Sequence, residues 1–512
     1  MFVLCLCESL WPRLLPAQGR RDTLRLTETF IPRSFNVSKD NTTETVRLGG
    51  LFFASLYGYD KRGRIIPILA QNELVKDIVG RTSYTVQLKP GLRWHGTPML
   101  FNAYDVKFTY EHLKNQQTSA ANWPRQVVKE IRVVDDLNVE FIFSRSIFFD
   151  LIQDIFTVPI YPRQFANRSE ADYFESPIGL GPFMILRRWY DEIILARNTN
   201  YALRSPEIPF VKVERTADKS MQFVLLTNLS IDVVPDLLPI YSEAVDNDAK
   251  LALQSYNLQE YYYIAYNTRR ANLSDKRVRQ AFTLVSNRQK MLENVFGGDK
   301  KGEVITGPLT PDSPFYNSAL PKQAYDKAKA DSLLRAAAAE GKFDFSAPLT
   351  FKVPIFGPQS PEETICLSFR YRLVELGIKI QDPEVMDFYK WREVIFNKHD
   401  FDITFGIWTY GESVNLRALF HSDEIEPGRL NFTGYSATDL DALLDAIYLK
   451  TQKPPEELRD MFHRAHAIIY EDCPYTFLFK LTKYAGYNRR VNRVNIQPAN
   501  FYQNIHEWYL SE

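Results

Sequence analysis

Hydrophobic positions recur along this chain in two periods. In the first third the two-residue period dominates: Tyr84, Val86 and Leu88 alternate with polar neighbours, as do Val139, Phe141 and Phe143, which predicts half-buried strands. Segments 184–189 and 193–197 flank Tyr190 and Asp191, a pattern that predicts a hairpin. Helical spacing interrupts these strands. Asn102 with Asp105 three residues on has the reciprocal capping pattern, and Val106, Tyr110 and Leu113 follow on one face. Ser274 precedes one long apolar face, Val278, Ala281, Phe282, Val285, Leu292 and Val295, closed by Gly297 and Gly298.

The later part alternates strand-like and helix-like stretches. Asp326 opens a helical run with Leu333, Leu334 and Ala337 on one face and Gly341 beyond its end. Thr438 and Asp441 precede Leu443, Leu444 and Ile447, and the Pro454–Pro455 pair separates that helix from one marked by Leu458, Met461, Phe462, Ala465 and Ile469. Segments 351–356 and 378–381 read as strands, with Leu376–Gly377 as the turn before the second. A second α/β unit follows from this alternation. No fixed-period repeat or heptad is present, and 512 residues exceed what one core of roughly 300 residues accommodates, so two lobes are expected.

Composition narrows the classes. Lys plus Arg and Asp plus Glu each number 62, so the formal net charge is zero and no positive field marks a nucleic-acid groove. A hydrophobic fraction of 45% is that of a globular chain and excludes disorder. The 35 Phe, 28 Tyr and 7 Trp supply broad rings for large cores or for a pocket wall. Cys5, Cys7, Cys366 and Cys473 contain no CxxC pair, which argues against a structural zinc or iron–sulfur site; Cys366 and Cys473 fit either a bridge in an exported protein or two isolated thiols. Residues 1–22 begin with a short apolar stretch stopped by Glu8, too short to span a membrane and without the basic front of a secretory signal, which reads as a degenerate signal or an untidy end. Asn36, Asn41, Asn228, Asn272 and Asn431 satisfy the glycan acceptor pattern only formally.

Catalytic signatures are absent from the sequence: it has no GxGxxG turn, Walker A loop, HExxH helix or GxSxG elbow. His463 and His466 share a helical face near Glu471 but lack a third ligand at convincing spacing, so neither metal nor cofactor is expected. Asp135–Asp136 and Asp423–Glu424 sit at turns, and adjacent carboxylates do not point together.

Several phrases together resemble the family 5 extracellular solute-binding proteins, the peptide, oligopeptide and nickel receptors of ABC importers. They are GLFFASLYGYDKRGRIIPILAQ at 50–71, VQLKPGLRWHGTPMLFNAYDVKFTYEHLKN at 86–115, GLGPFMILRRW at 179–189 and YYYIAYNTRRANLSDKRVRQAFTLVSNRQKMLENVFGG at 261–298. YDKAKADSLLRAA at 325–337, NFTGYSATDLDALLDAI at 431–447 and EDCPYTFLF at 471–479 complete the series in order. Leu180 and Phe183 stand where the family has Thr and Tyr, and Asn287 stands where Asp is common.

The resemblance implies an α/β, two-lobed periplasmic-binding-protein fold of class II type with an extra subdomain in the first lobe. Its expected limits are 23–262 plus 478–512 for lobe one, with the subdomain at about 70–190, and 263–477 for lobe two, the chain crossing at 261–267 and 474–479. It implies a monomeric receptor, periplasmic or associated with the cell envelope, that takes a small solute (peptide-like, saccharide or metal complex) into an interlobe cleft and presents its closed form to ABC permease subunits. Nucleic acid is not an expected partner and no covalent chemistry is needed. An enzyme with its site in the same cleft and a transporter-independent sensor are the alternative readings. In peptide-binding members an Asp after a Gly-Trp-x-x pattern meets the peptide amino group; here the stretch reads GIWTYGESVN at 406–415, with Tyr410 at that place. The candidate ligand-binding residues are Trp408, Tyr410, Glu412, Arg417, Tyr57 and Asn267. Trp408 fits a core position equally well, and Trp94 and His95 fit a fastened turn.

Overall fold

The computed structural model describes residues 21–511 except 41, 61–63, 75–81, 116–126, 145–154, 299, 357–359, 411–413, 449–452, 497–500 and 503. Two separate large sheets carry two lobes. In the first, Thr23–Glu28 is central and pairs in parallel with Phe210–Arg215 on one side and Val233–Leu237 on the other. Lys483–Asn488 and then Leu251–Tyr256 extend it antiparallel past Val233–Leu237, and the hairpin of Glu192–Arg197 with Phe183–Arg188 extends it on the other side.

The second sheet has the order Glu384–Met386, Phe351–Pro354, Ile403–Thr409, Glu260–Tyr266, Tyr475–Phe477. Its first three strands are parallel, and Glu260–Tyr266 runs antiparallel between Ile403–Thr409 and Tyr475–Phe477. All seven residues of Glu260–Tyr266 are buried. Tyr262, Ile264 and Tyr266 enter one core, with Phe282, Leu334 and Phe369 from three helices, while Tyr261, Tyr263 and Ala265 enter another, with Leu444 and Ile469 from two more. A strand covered on both faces reads as a continuous apolar run, which is why this segment shows no polar alternation.

A third unit packs Ser83–Gln87, Asn138–Phe143 and Val128–Asp135 against the helix Ala103–Asn115. That helix has the predicted cap: Asn102 Oδ1 accepts from the Tyr104 N–H at 3.0 Å and Asp105 Oδ2 accepts from the Asn102 N–H at 3.0 Å. The unit is fastened to the first lobe by several contacts, among them the Thr109 hydroxyl on the Tyr161 backbone, the Arg163 N–H on Asp105, and one imidazole ring. His95 Nε2–H donates to the Gly181 carbonyl (3.0 Å), and its Nδ1 accepts from the Gly179 N–H (3.2 Å). Burial holds this imidazole down to about 4, so it is neutral, with its proton on Nε2. Gly179 and Gly181 lie flat on the backbone of Phe52 and Phe53: a Cβ on Gly181 would fall 2.6 Å from the Phe52 carbonyl carbon.

Two local expectations need correction. The single helix after Ser274 is two, Lys276–Val285 and Arg288–Phe296, because Asn287 adopts φ 46° and its side chain caps the second by accepting from the Lys290 N–H. Segment 378–381 contributes one bridge, Ile380 to Leu349, and the neighbouring strand is Glu384–Met386 instead. Phe183–Arg188 belongs to the first-lobe sheet, so the subdomain's expected end near 190 falls inside that sheet. Likewise Glu260, Tyr261 and Tyr262 pair along the second-lobe sheet, and Phe479–Leu481 pairs with Gly302–Val304, so the chain changes sheets at 257–259 and at 482. Cys366 and Cys473 are free and buried.

Candidate functional site

In open α/β sheets, ligand sites form beyond the carboxyl ends of the parallel strands. Here those ends face each other across the two lobes. The chain crosses between lobes at one side, where Tyr256 leads to Glu260 and Leu481 to Lys483. Loops beyond Thr23–Glu28 and Glu384–Met386 meet elsewhere along the gap: the rings of Phe30 and Phe388 lie 6.2 Å apart, Arg33 sits 5.3 Å over the Tyr389 ring, and Arg392 approaches Asp40 at 3.8 Å. The space between crossing and loops is therefore a cleft with a wall from each lobe.

A chain of alternating charges runs through the crossing. Lys219 Nζ donates to Asp236 Oδ2 at 2.6 Å, Lys483 Nζ lies 3.3 Å from Asp236 Oδ1, Lys483 also pairs with Glu260, and the Thr409 hydroxyl donates to Glu260 Oε2 at 2.9 Å. Lys219, Asp236 and Lys483 belong to the first lobe, Glu260 and Thr409 to the second-lobe sheet. Burial opposes the charges of Asp236 and Lys483, yet Lys219 and Lys483 hold Asp236 well below the usual carboxylate range. Asp236 and Glu260 in turn raise Lys483. At the end of the central first-lobe strand, Arg47 Nε donates to Glu28 Oε1 at 2.7 Å; burial still pushes Glu28 up to about 7.

On the face of the second-lobe sheet that packs on the helices Thr438–Tyr448 and Pro455–Asp472 lies an aromatic cluster. Tyr261 and Trp408 are register partners on adjacent strands and so share a face, which Tyr410, two beyond Trp408, continues. The Tyr261 and Tyr410 rings lie 6.0 Å apart, and those of Trp408 and Tyr410 6.3 Å. The two tyrosine hydroxyls face each other and each acts on the other. The Trp408 indole N–H and the Tyr475 hydroxyl are buried polar atoms without a hydrogen-bond partner among the described residues. Burial raises Tyr261, Tyr410 and Tyr475 well above the ordinary phenol value, so each stays a neutral donor.

The other expected site residues stand elsewhere. Arg417 is committed inside the second lobe, with Nε to Asp445 at 2.8 Å, Nη2 to Asp423 at 2.9 Å and Nη1 to Glu424 at 3.4 Å, so its guanidinium is spent on neighbouring carboxylates. Asn267 is buried and binds backbone: Nδ2 donates to the carbonyls of His399 (3.0 Å) and Phe401 (2.9 Å). Tyr57 lies in the subdomain core against Phe156. Glu412 lies outside the described residues. Both ring nitrogens of His466 are used by protein groups, the Thr306 hydroxyl at 3.1 Å and the Asn317 N–H at 3.3 Å, and no cluster of three metal-ligating side chains occurs among the described residues. Sequence reading missed Tyr261, Lys483, Phe30 and Phe388. The period of two in YYYIAY puts Tyr261 and Tyr263 on one face, whereas no local pattern marks the three others.

Two α/β lobes joined by crossing segments, with a cleft between strand ends, define a two-lobed solute-binding protein of the kind that closes around its guest. The chain belongs to the bacterial extracellular solute-binding proteins of family 5, whose middle region matches residues 64–423. It is a receptor for an ABC importer, capturing a small solute in the interlobe cleft. It is similar to the oligopeptide-binding protein AppA of Bacillus subtilis, 24% identical over 513 residues and covering 94% of this chain and 90% of that protein. The solved structure of AppA from Bacillus subtilis in complex with a nonapeptide superposes with a TM-score of 0.84 at 22% identity, covering 96% of this chain and 99% of that one. NikZ from Campylobacter jejuni in complex with Ni(L-His) gives a TM-score of 0.81 at 19% identity, covering 96% and 99%.

Proposed function

We propose that the solute is peptide-like, that the closed form docks on the permease subunits of its importer outside the cytoplasmic membrane, and that the cleft performs no covalent step. The observation that carries this reading is the architecture itself, two sheets joined at 257–259 and 482 whose strand-end loops meet through Phe30 and Phe388, in a chain of this family. The oligopeptide-binding relative and the nonapeptide complex support the solute class. Closure stabilises the complex because contacts on both walls exist only when the lobes approach, and those contacts offset the ordering of ligand and hinge. His466, Arg417 and the charge chain at the crossing are internally satisfied, which supports binding without catalysis. No helix among the described residues is long and apolar enough to cross a membrane.

The test titrates the purified protein with pools of random pentapeptides, following heat of binding and small-angle scattering. Tight binding with a smaller radius of gyration is expected. Absence of binding to every pool, with compaction by a nickel–histidine complex instead, overturns the peptide assignment. Steady turnover of a bound peptide overturns the noncatalytic one.

A further inference from the structure

The helix Pro361–Val374 is apolar on two opposite sides. Its inner side, Ile365, Cys366, Phe369 and Leu373, packs into the second-lobe core, where Phe369 meets Phe282 and Phe351 edge-on. Leu367, Tyr371 and Val374, four and three residues apart, fall on the other side and are 48%, 58% and 44% exposed. Helices on the surface of globular proteins turn polar residues outward, and one that is apolar all round is covered all round. The stripe continues onto Tyr325, 40% exposed, because the Arg372 guanidinium bridges the two rings, 5.7 Å from that of Tyr325 and 5.7 Å from that of Tyr371.

Charge along the outer side is ordered. Glu363 lies exposed in the first turn, held there by the Ser360 cap, whose hydroxyl accepts from the Glu363 N–H at 3.1 Å. Arg370 follows two turns later, its Nε 2.9 Å from Asp382, a carboxylate 84% exposed, so that pair sits in water and opens at little cost. We propose that this side pairs with its own copy: the second lobes of two chains join with Pro361–Val374 laid antiparallel across a two-fold axis at Leu367. A rise of about 1.5 Å per residue sets Glu363 about 6 Å before that axis, and Arg370 and Tyr371 about 4.5 and 6 Å after it. Each Glu363 therefore comes level with Arg370 and Tyr371 of the other copy, and Leu367 meets itself at the centre. A partner carrying one sign of charge would set a like charge against Glu363 or Arg370, whereas a copy matches both. The family resemblance implies a monomer, and this face departs from that expectation. Three side chains and one ring give far less than the roughly 800 Å² per partner of a stable interface, so the dimer is weak and forms in the range of about 10–100 μM. None of these residues belongs to the crossing or to the loops carrying Phe30 and Phe388, so solute capture proceeds in each copy alone.

Sedimentation velocity of the full chain from about 1 to about 300 μM tests the pairing. Weight-average mass is expected to climb from the 59.5 kDa of one chain by at least about half at the highest concentration. Leu367→Glu sets a charge against its own copy and is expected to stay at one chain throughout, with an unchanged melting profile because the site is on the surface. Glu363→Arg is expected to weaken association about tenfold by facing Arg370 with a like charge, and adding Arg370→Glu is expected to restore the original strength, a rescue that a merely adhesive surface does not give. One-chain mass at every concentration overturns the proposal; if vesicles bearing the importer's permease then retain the unmodified chain and release Leu367→Glu, the face belongs to the importer. Association that survives Leu367→Glu, or that grows past two copies, overturns the two-fold pairing. The concentration series needs only the unmodified chain, so a variant that fails to fold does not shield the claim.

Discussion

Lys483 offers the sharpest quantitative test of how the lobes are joined. Its ammonium is 7% exposed and lies between Asp236 of its own lobe and Glu260 of the other. Lys483→Met removes the cation but keeps most of the stem's packing. Asp236 retains Lys219 at 2.6 Å, whereas Glu260, 8% exposed, keeps only the Thr409 hydroxyl. Breaking a buried pair from one side costs about 3–5 kcal/mol, much of it the isolation of the surviving charge. Glu260→Gln is milder, at about 1–2 kcal/mol, because Lys483 still has Asp236. The double variant leaves no isolated carboxylate and is expected to cost about 2–3 kcal/mol. The cycle then yields a coupling of about 2–4 kcal/mol between two residues on opposite sides of the crossing. Urea unfolding followed by fluorescence and by calorimetry provides the numbers. Additive effects, within about 0.5 kcal/mol, would refute the claim that one ion pair ties the two sheets.

Three further outcomes are expected. Gly181→Ala places a Cβ against the Phe52 and Phe53 backbone, which cannot retreat as a flexible side chain can, and should lower stability by about 2–3 kcal/mol in thermal unfolding; a loss below about 0.5 kcal/mol would contradict that packing. His95 and His466, both held down to about 4 by burial against an ordinary 6.5, contribute stability that is complete above about pH 6.5 and drains away as pH falls toward 4, roughly 3 kcal/mol for each ring. His95→Gln should flatten half of that acid slope in a series of melts, and an unchanged slope would count against the neutral tautomer. Phe388→Ala removes the ring stacked near Phe30 and should weaken solute binding about fivefold with unchanged melting, through a less favourable closed state seen by scattering; equal affinity would show that this contact does not bias closure.

Periodicity revealed most of the scaffold because each core-facing stripe is local. The helix Lys327–Ala339 and the paired strands at 83–87 and 138–143 follow directly from their apolar spacing and from caps such as Asp326, which accepts from the Lys329 N–H. The break at Asn287 was hidden because the apolar stripe continues through it, and one residue in the left-handed region interrupts the backbone without interrupting the pattern. Segment 378–381 has strand composition but lies at the sheet's margin, where pairing decides and composition does not. The cleft itself was legible only through the family resemblance. The members of its charge chain lie up to 264 residues apart, Lys219 to Lys483, and no window along the chain joins them. Arg417 shows the converse: near aromatic candidates in sequence, it is turned toward Asp423, Glu424 and Asp445, and only the fold reveals that commitment.

The imidazole wedged between Gly179 and Gly181 also sets the mechanics of capture. With His95 holding the inserted unit against a glycine ledge that admits no slack, that unit travels with the first lobe as a single part. The two lobes stay joined through 257–259 and 482, the segments that any approach of one lobe toward the other has to bend.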